Sequence, residues 1–365
     1  MKPFSQSKKS RITGRYKGIL GVTCLALTVA GCSGQPQTAP VPDPSPSPVV
    51  TPTPSQAPAY KYHFPLTGKG TNEQVEDRPL MVMIENSPQA RPQTGLDQAD
   101  VVFEILAEGE ITRFAAVYHS QNPKVIGPVR SIRPYYAQLG EGLDALIVHA
   151  GWSQDAINYI NSRKLAHFDQ VYGDDAYYWR DKERSAPHNL YTSVDKIREG
   201  SEKKKFRQEW KAFKYPFLKE DEKVSGDKAE RVKVNYIHGY YVSYEYDAEA
   251  GVYKRSMAGE PHLDKDSKVQ LTASNIIIAE TKHRVLDNEG RRSVDIDGPG
   301  KGMLIQGGVK RDVTWERKDG TIRVYEDKRE LPLLPGQTWI QVVPVDSKVE
   351  IESGDKGSAT NNSGQ

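Results

Sequence analysis

ADVVFEIL, residues 99–106, and PLMVMIE, residues 79–85, are the stretches on which the fold prediction depends. Both are short apolar runs rich in residues that favour strands. RFAAVYH (113–119) follows the first of them after AEGE (107–110), a spacing that predicts a β-hairpin. ALIVHA (145–150) is a further apolar run of strand length. The folded region is therefore expected to begin with buried strands.

Helical patterns alternate with these strands and then disappear. The predicted helices are residues 134–139, 153–163 and 193–210. Thr192 and Asp195 have the arrangement of a capping box. The predicted strands that follow are residues 232–246, 251–257, 275–281, 302–306, 313–317, 321–326 and 338–344. We predict an α+β protein, with an N-terminal mixed α/β domain followed by a mostly-β C-terminal domain.

The N-terminus carries an export signal. Val29-Ala30-Gly31-Cys32 closes a basic segment and an apolar run from Gly18 to Ala30, which is too short to span a membrane. The small residues before Cys32 resemble a bacterial lipobox, in which the cysteine receives a diacylglyceryl group and becomes the new N-terminus. An ordinary signal peptide that happens to contain a cysteine is the alternative. We expect a lipid-anchored protein on the extracytoplasmic face of the cell membrane, held by diacylglyceryl-Cys32.

The net charge changes once residues 1–31 are removed. The chain has 50 basic and 48 acidic residues. The signal contains six basic and no acidic residues, so the remainder has 44 against 48, a net charge of −4. A mildly acidic protein has no long-range attraction for nucleic acid, and nucleic acid is therefore not an expected partner.

The cysteines and histidines limit which kinds of catalytic and metal site can be expected. Cys24 lies in the signal and Cys32 would be acylated, which excludes disulfides, cysteine nucleophiles and zinc–thiolate sites. The histidines form no HExxH motif, and GPGKG at 298–302 lacks the GK[ST] of a phosphate loop. We therefore expect no metal and no cofactor.

Composition divides the chain into six segments. Residues 33–59 contain nine prolines and cannot bury a core, so they are predicted to form an extended tether that reaches on the order of 80 Å. A ligand for a proline-binding domain is the alternative. PFLKEDEKVSGDKAER (216–231) is charged and turn-rich, which favours a domain boundary. The predicted segments are a signal peptide (1–31), the lipidated cysteine and tether (32–59), an N-terminal domain (60–215), a linker (216–231), a C-terminal domain (232–345) and a disordered tail (346–365).

GPVRSIRPYY, residues 127–136, contains the first candidate site. Arg130 and Arg133 are three apart at a predicted helix start, where two guanidinium groups and helix amides could face one anion. Arg91 and Arg113 are candidates to join them. The alternative is that these arginines pair internally with carboxylates. The carboxylates in question are Glu104, Glu108, Glu110 and Asp144.

Carboxylates and histidines supply weaker candidates for catalysis. Glycoside cleavage needs two carboxylates, one of them held protonated by its surroundings, and Glu104 or Glu108 beside a buried strand could supply such an acid. Salt-bridged or solvated glutamates are the alternative. Of His149, His167, His188 and His262, we single out His149 and His188 as possible bases. Holding a loop through backbone hydrogen bonds is the alternative for each of them.

Long motifs at four places carry a family resemblance. They are MVMIENSPQARPQTGLDQADVVFEILAEGEITRF (81–114), VIGPVRSIRPYYAQL (125–139), SAPHNLYTS (185–193) and PGQTWIQVVP (335–344). Together they resemble the YerB-like lipoproteins of Gram-positive bacteria, over essentially the whole chain after the tether. The resemblance implies an extracytoplasmic lipoprotein with an N-terminal and a C-terminal domain, both of unknown function. It supplies no reaction and no catalytic residues.

Three hypotheses of function follow. The first is a binding or assembly module of the cell envelope, more a binding protein than an enzyme, in which Arg130 and Arg133, helped by Arg113 and Arg91, hold an anionic group of a wall component or an exported protein. The second is a wall-modifying hydrolase that uses the carboxylates with His149 or His188. The third is a scaffold that docks another exported protein through the C-terminal sheet.

Overall fold

The structure is a computed structural model that describes residues 60–211, 214–219, 222–237 and 239–354. The predicted signal, Cys32 and the tether lie outside the described residues. All the described residues belong to one compact unit. Within these ranges, no helix is long and apolar enough to cross a membrane.

Three α-helices lie in the N-terminal half of the described chain. They are α1 (Pro134–Gly142), α2 (Gln154–Arg163) and α3 (Val194–Lys203). Pro134 begins α1 because a proline at the first helical position gives up no hydrogen bond. The cap of α3 is Ser193, whose hydroxyl accepts from the backbone N–H of Lys196, rather than the predicted Thr192. The prediction of a helix through residue 210 was too long, since the helix ends at Lys203 with Lys204 as its C-cap and Lys205 then adopts a left-handed conformation.

Most of the ordered structure is β-sheet, in agreement with the predicted strands. The N-terminal strands are β1 (Tyr62–His63), β2 (Gly70–Thr71), β3 (Leu80–Glu85), β4 (Val101–Glu108), β5 (Ile111–Tyr118), β6 (Leu146–His149), β7 (His167–Asp169), β8 (Trp179–Arg180) and β9 (Leu190–Tyr191). The C-terminal strands are β10 (Asp227–Lys228), β11 (Arg231–Ile237), β12 (Tyr240–Asp247), β13 (Val252–Met257), β14 (Glu260–Pro261), β15 (Thr272–Ala273), β16 (Asn275–Thr281), β17 (His283–Val285), β18 (Arg292–Val294), β19 (Gly300–Gln306), β20 (Val309–Lys318), β21 (Thr321–Glu326), β22 (Arg329–Glu330), β23 (Thr338–Pro344) and β24 (Val349–Glu352).

One large sheet contains strands from both sides of the predicted linker. Its order is β22-β21-β20-β19-β16-β23-β4-β5-β3-β6-β7, with β10 added to β20. At its centre β23 pairs in parallel with both β16 and β4. Farther along, β3, β6 and β7 run parallel to one another. The residues on either side of 216–231 therefore share a single sheet.

A second sheet, in the order β14-β13-β12-β11-β24 with β15 added to β13, is built from C-terminal residues alone. The predicted single strand 232–246 is in fact the hairpin β11–β12, and Gly239 provides a left-handed conformation (φ +88°) at its turn. A second difference lies in the predicted tail. Its residues Val349–Glu352 form β24, which pairs with β11.

The centre of the large sheet is buried on both faces. Val102 and Leu106 of β4 belong to the core shared with the second sheet, whereas Phe103 and Ile105 belong to the core shared with helices α1 and α2. This is the alternation expected of a strand covered on both sides. Glu104 is the polar exception on the face toward the second sheet, and it is completely buried.

Candidate functional site

Polar residues gather where the parallel strands β3, β6 and β7 end. In open sheets with parallel strands, ligands bind outside the carboxyl ends of the strands. Here an extended segment, residues 128–133, lies along this edge. Its Arg130 N–H donates to the carbonyl of Met83 (2.9 Å), and its Arg130 carbonyl accepts from Ala150 (3.1 Å). The segment thus connects the end of β3 with the loop after β6.

Three of the four predicted arginines meet on this segment. Arg113 Nη1 donates to the Ser131 carbonyl at 2.7 Å. Arg133 Nη1 lies 3.4 Å from the Ser131 hydroxyl, and Arg130 directly precedes Ser131 in the chain. We call Arg113, Arg130, Ser131 and Arg133 the arginine site. Helix α1 begins only at Pro134. Arg130 and Arg133 therefore lie on an extended, strand-like segment and not in the first turn of a helix.

Carboxylates occupy part of the arginine site. Glu108 pairs with Arg113 (3.4 Å) and with Arg133, as the alternative of internal pairing predicts. Glu85 lies 3.5 Å from Arg130 Nε. Glu85 and Glu108 thus both face these three guanidinium groups. Arg130 keeps 32% of its side chain exposed and is thus the guanidinium most available to a ligand from solvent.

Burial lowers the pKa of all three arginines from its ordinary value. Each of them is held charged in a poorly solvated place, which is unfavourable unless anionic groups compensate. Arginine nevertheless stays protonated at any physiological pH. An added anion in contact with this site would be favoured because it would compensate these poorly solvated positive charges.

Arg91 makes different contacts. Its Nε and Nη2 donate to the carbonyl of Asn86 at 3.1 and 2.8 Å, and its guanidinium lies 5.5 Å above the ring of Tyr240. Its charged neighbours are Glu104 and Arg255. Arg91 therefore belongs to the polar contacts between the two sheets.

Glu104 is enclosed by its own partners. Its Oε2 accepts from Arg255 Nη2 at 2.7 Å, and its Oε1 accepts from the hydroxyls of Tyr240 (2.6 Å) and Thr112 (2.9 Å). Both oxygens are occupied and the side chain is fully buried. This geometry gives Glu104 a structural role and offers no space for a scissile bond. Glu110, at the turn after β4, is exposed.

His188 lies beside a serine and a carboxylate, but not in the geometry of a nucleophilic triad. Its Nδ1 is 3.0 Å from Glu85 Oε2 and 3.4 Å from Ser87 Oγ. In a triad the acid and the nucleophile contact opposite ring nitrogens. Here both contacts use Nδ1, and the Ser87 hydroxyl donates instead to Glu85 at 2.9 Å. The arrangement holds the loop after β3.

His149, the last residue of β6, and His167, the first residue of β7, form a stacked pair. His149 Nε2 is 3.1 Å from His167 Nδ1, and the rings are nearly parallel. Burial lowers the pKa of His149, so the ring is neutral at physiological pH. The described residues contain no group of three or more His, Cys, Asp or Glu able to hold a metal ion.

Sequence reasoning missed an aromatic pair next to the arginine site. The rings of Trp152 and Tyr172 stack at 4.9 Å, and Tyr172 is 64% exposed. A Cβ placed on Gly151 would lie 3.7 Å from Val171 and 3.8 Å from Ser131, so this turn joins the aromatic pair to the arginines. Exposed aromatic rings beside charged groups are typical of recognition surfaces. The sequence signal, one tryptophan after a strand, was too weak to find it.

Comparison with known proteins shows the family of this chain. One family model, described as the N-terminal domain of a protein of unknown function (DUF3048), matches residues 66–207, and the model of the C-terminal domain matches residues 232–340. The chain belongs to the DUF3048 family. Every residue of the arginine site lies within residues 66–207, the range that matches the N-terminal family model.

One relative, YerB of Bacillus subtilis, is similar to this chain both in sequence and in its crystal structure. The Bacillus subtilis (strain 168) protein named "Putative lipoprotein YerB" is 38% identical over 299 residues, which are 81% of this chain and 90% of that protein. The crystal structure of YerB from Bacillus subtilis superimposes with a TM-score of 0.74 at 37% identity, covering 80% of this chain and all of that one. The predicted family resemblance is confirmed.

Proposed function

We propose that this DUF3048 protein is an extracytoplasmic lipoprotein that is anchored through diacylglyceryl-Cys32 and binds an anionic ligand of the cell envelope at the arginine site. The lipoprotein name of the YerB relative and the lipobox-like sequence before Cys32 support the anchor. The binding role is supported by one observation above the others. Arg113 and Arg133 both contact Ser131, which follows Arg130 in the chain, and Glu108 and Glu85 are the carboxylates seen to pair with these arginines within the described residues.

The proposed arrangement of the chain follows from the anchor. Residues 1–31 would be removed, and the tether of residues 32–59 would hold the folded part away from the membrane. The folded part would comprise the predicted domains 60–215 and 232–345 together with β10 of the predicted linker and β24 of the predicted tail. The arginine site would then face wall components or exported proteins.

Arg130 is the residue on which an anionic ligand would depend most. Charge-assisted hydrogen bonds contribute about 1.5–3 kcal/mol each, and they are stronger where water is partly excluded. Arg133 and Arg113 already share Glu108, whereas Arg130 has a partly exposed side chain at 3.5 Å from Glu85. A ligand anion can approach Arg130 without displacing a close ion pair.

The test is retention of the full-length protein, in detergent, by purified cell-wall sacculi. Arg130→Ala should lower retention at least tenfold and leave the melting temperature unchanged. Arg163→Ala is the matched control, because Arg163 is 59% exposed at the far end of α2. Equal loss of folding in Arg130→Ala would make this residue a structural ion-pair partner. Release of wall fragments by the wild type would favour the hydrolase hypothesis instead.

Deleting the C-terminal segment would not test the scaffold hypothesis. Strand β23 lies between β16 and β4, so removing residues 232–345 would remove the middle of the large sheet. Capture of an exported protein that is lost with Arg130→Ala would identify a protein ligand of the arginine site. Capture that is insensitive to Arg130→Ala would support docking elsewhere.

A further inference from the structure

A cleft of about 390 Å³ lies at the edge of the large sheet where the parallel strands β3, β6 and β7 begin. The arginine site lies at the opposite edge, where the same strands end. The C-terminal ends of α1, α2 and α3 surround the cleft. We call it the basic cleft, because its lining includes Arg78, Lys164, Lys205 and Arg207.

All three helices end in the same backbone motif at the basic cleft. Each is followed by a residue in the left-handed conformation, namely Asp144 (φ 51°), Lys164 (φ 52°) and Lys205 (φ 56°). In each case the N–H of the next residue donates to the carbonyl five positions earlier, at 2.9 to 3.1 Å. Glycine is the usual left-handed residue of such a helix end. Here all three positions carry a charged side chain instead.

Ending the helices does not explain the two lysines. A side chain in the left-handed conformation is strained, and this strain is at least as large as the gain from a cation beside a helix C-terminus. Glycine would end α2 and α3 without the strain. Both Lys164 and Lys205 are exposed, and neither forms an ion pair within the part of the chain that the structure describes. Their charges are therefore available to a ligand in the cleft.

Asp144 holds two arginines in the wall of the basic cleft. Its Oδ1 lies 3.3 Å from Arg78 Nη2 and 2.5 Å from Arg207 Nη2. Arg78 is buried, and its Nε donates to the Asp144 carbonyl at 2.8 Å. Burial lowers the pKa of Arg78 from its ordinary value, although arginine stays protonated at physiological pH. One carboxylate thus faces two guanidinium groups here.

Positive charge predominates in the lining as a whole. Among the described residues, five cationic and two acidic side chains line the basic cleft, a net formal charge of +3. On the rim, Arg163 is offset by Glu141 at 3.9 Å, so this pair is not counted among the ligand contacts. The three helix C-termini each add a partial negative charge of about half a unit, which reduces the excess without cancelling it.

We propose that the basic cleft binds a compact, multiply charged anion of the pyrophosphate class, with Lys164 and Lys205 as its principal contacts and Arg207 beside them. Lysine is a mobile point charge that suits phosphate oxygens. The two lysines follow different helices, so an anion that meets both needs more than one negative charge. This site goes beyond the proposed function, since it shares no residue with the arginine site.

Isothermal titration of the full-length protein in detergent at low ionic strength tests the proposal, with pyrophosphate as the probe and acetate as the control anion. The wild type should bind pyrophosphate and not acetate. Lys164→Gly and Lys205→Gly should each weaken binding about tenfold, since each removes one charge-assisted contact. Each should also raise the melting temperature by about 2 °C, because glycine is unstrained in the left-handed conformation. A purely structural role would not change binding and stability in opposite directions.

Lys268→Gly is the matched control. Lys268 is an exposed lysine in the same left-handed conformation (φ 61°), and it does not line the basic cleft. Its replacement should give a similar gain in melting temperature and leave pyrophosphate binding as in the wild type.

The outcomes separate this inference from the proposed function. No binding of pyrophosphate by the wild type, or equal binding of acetate, overturns the basic cleft even if retention by sacculi depends on Arg130. Binding that is unchanged in both Lys164→Gly and Lys205→Gly overturns the location. Pyrophosphate binding that requires the two lysines, together with retention that ignores Arg130, supports the basic cleft and rejects the arginine site.

Discussion

Arg255 of β13 reaches Glu104 of β4 from one sheet to the other, with its Nη2 2.7 Å from Glu104 Oε2 and both side chains completely buried. The guanidinium also lies 4.5 Å above the ring of Trp339 on β23. One ion pair thus joins strands that lie more than 150 positions apart in the chain. It fixes how the second sheet packs on the large one.

Breaking this pair should destabilise the protein strongly. Glu104→Gln leaves the cation of Arg255 buried without its counter-charge, and we expect a loss of about 3–5 kcal/mol in the free energy of unfolding. Arg255→Met should cost a similar amount. The double variant should recover most of the loss, because a buried pair replaced by uncharged groups is often nearly neutral. Denaturant unfolding measures all three.

The control for this cycle is Lys254→Met on the same strand. Lys254 is 49% exposed and pairs with Asp247 at the surface, so no measurable change is expected. A double variant as unstable as the sum of the singles would mean that Glu104 and Arg255 stabilise the fold independently.

Stability should fall in mild acid because of His119. Burial lowers the pKa of His119 from 6.5 to about 4, and its ring packs 4.5 Å from Trp210 with Asp77 and Arg198 as the charged neighbours. A histidine with a depressed folded-state pKa contributes stability that is complete above pH 6.5 and is lost as the pH falls toward 4. The loss amounts to at most about 3 kcal/mol.

His119→Gln isolates this contribution, because glutamine cannot titrate. Unfolding free energies at pH 7.5, 6, 5 and 4 should decline less steeply in the variant than in the wild type. Parallel pH curves for the two proteins would show that His119 keeps an ordinary pKa in the folded state.

The two parts of the chain that match the N-terminal and C-terminal family models should not fold separately. Strand β23 of the C-terminal segment pairs with β4 of the N-terminal segment from Thr338↔Val101 to Val342↔Ile105. Residues 60–215 alone would expose this edge of β4 and the apolar faces beside it. We expect that fragment to be unfolded or aggregated by circular dichroism and gel filtration, and to gain structure when residues 216–354 are supplied. A monomeric, cooperatively melting fragment would establish 216–231 as a true domain boundary.

Tyr172 should matter for binding and not for stability. Its ring is 64% exposed and stacks on Trp152 beside the arginine site. Tyr172→Ala should lower retention by sacculi several-fold with no change in melting temperature. Tyr60→Ala, which removes a 47% exposed tyrosine from the start of the described chain, is the control. If both variants behave alike, the aromatic pair is no part of the recognition surface.

Local patterns predicted the strands well and their assembly poorly. The apolar runs at 79–85 and 99–106 correspond to β3 and β4, because strand identity depends on nearby residues. The parallel pairing of β4 with β23 joins residues more than 230 positions apart, and no local signal records it. The hairpin within 232–246 was missed because strand-forming residues continue on both sides of Gly239.

The candidate site was predicted in part for a similar reason. Arg130 and Arg133 lie close to Ser131 at one edge of the large sheet. The segment that carries them is extended rather than helical. The sequence offered Glu108 as one of four possible partners of these arginines but could not single it out, since strand β4 and the 128–133 segment meet only in the folded sheet.

The most direct test of anion binding at the arginine site is the fraction of full-length protein retained by purified sacculi as NaCl is raised, for the wild type, Arg130→Ala and Arg163→Ala. Wild type and Arg163→Ala should be retained at low salt and released as salt screens the attraction, whereas Arg130→Ala should be released already at low salt. Retention of Arg130→Ala equal to that of the wild type at every salt concentration would contradict the central claim.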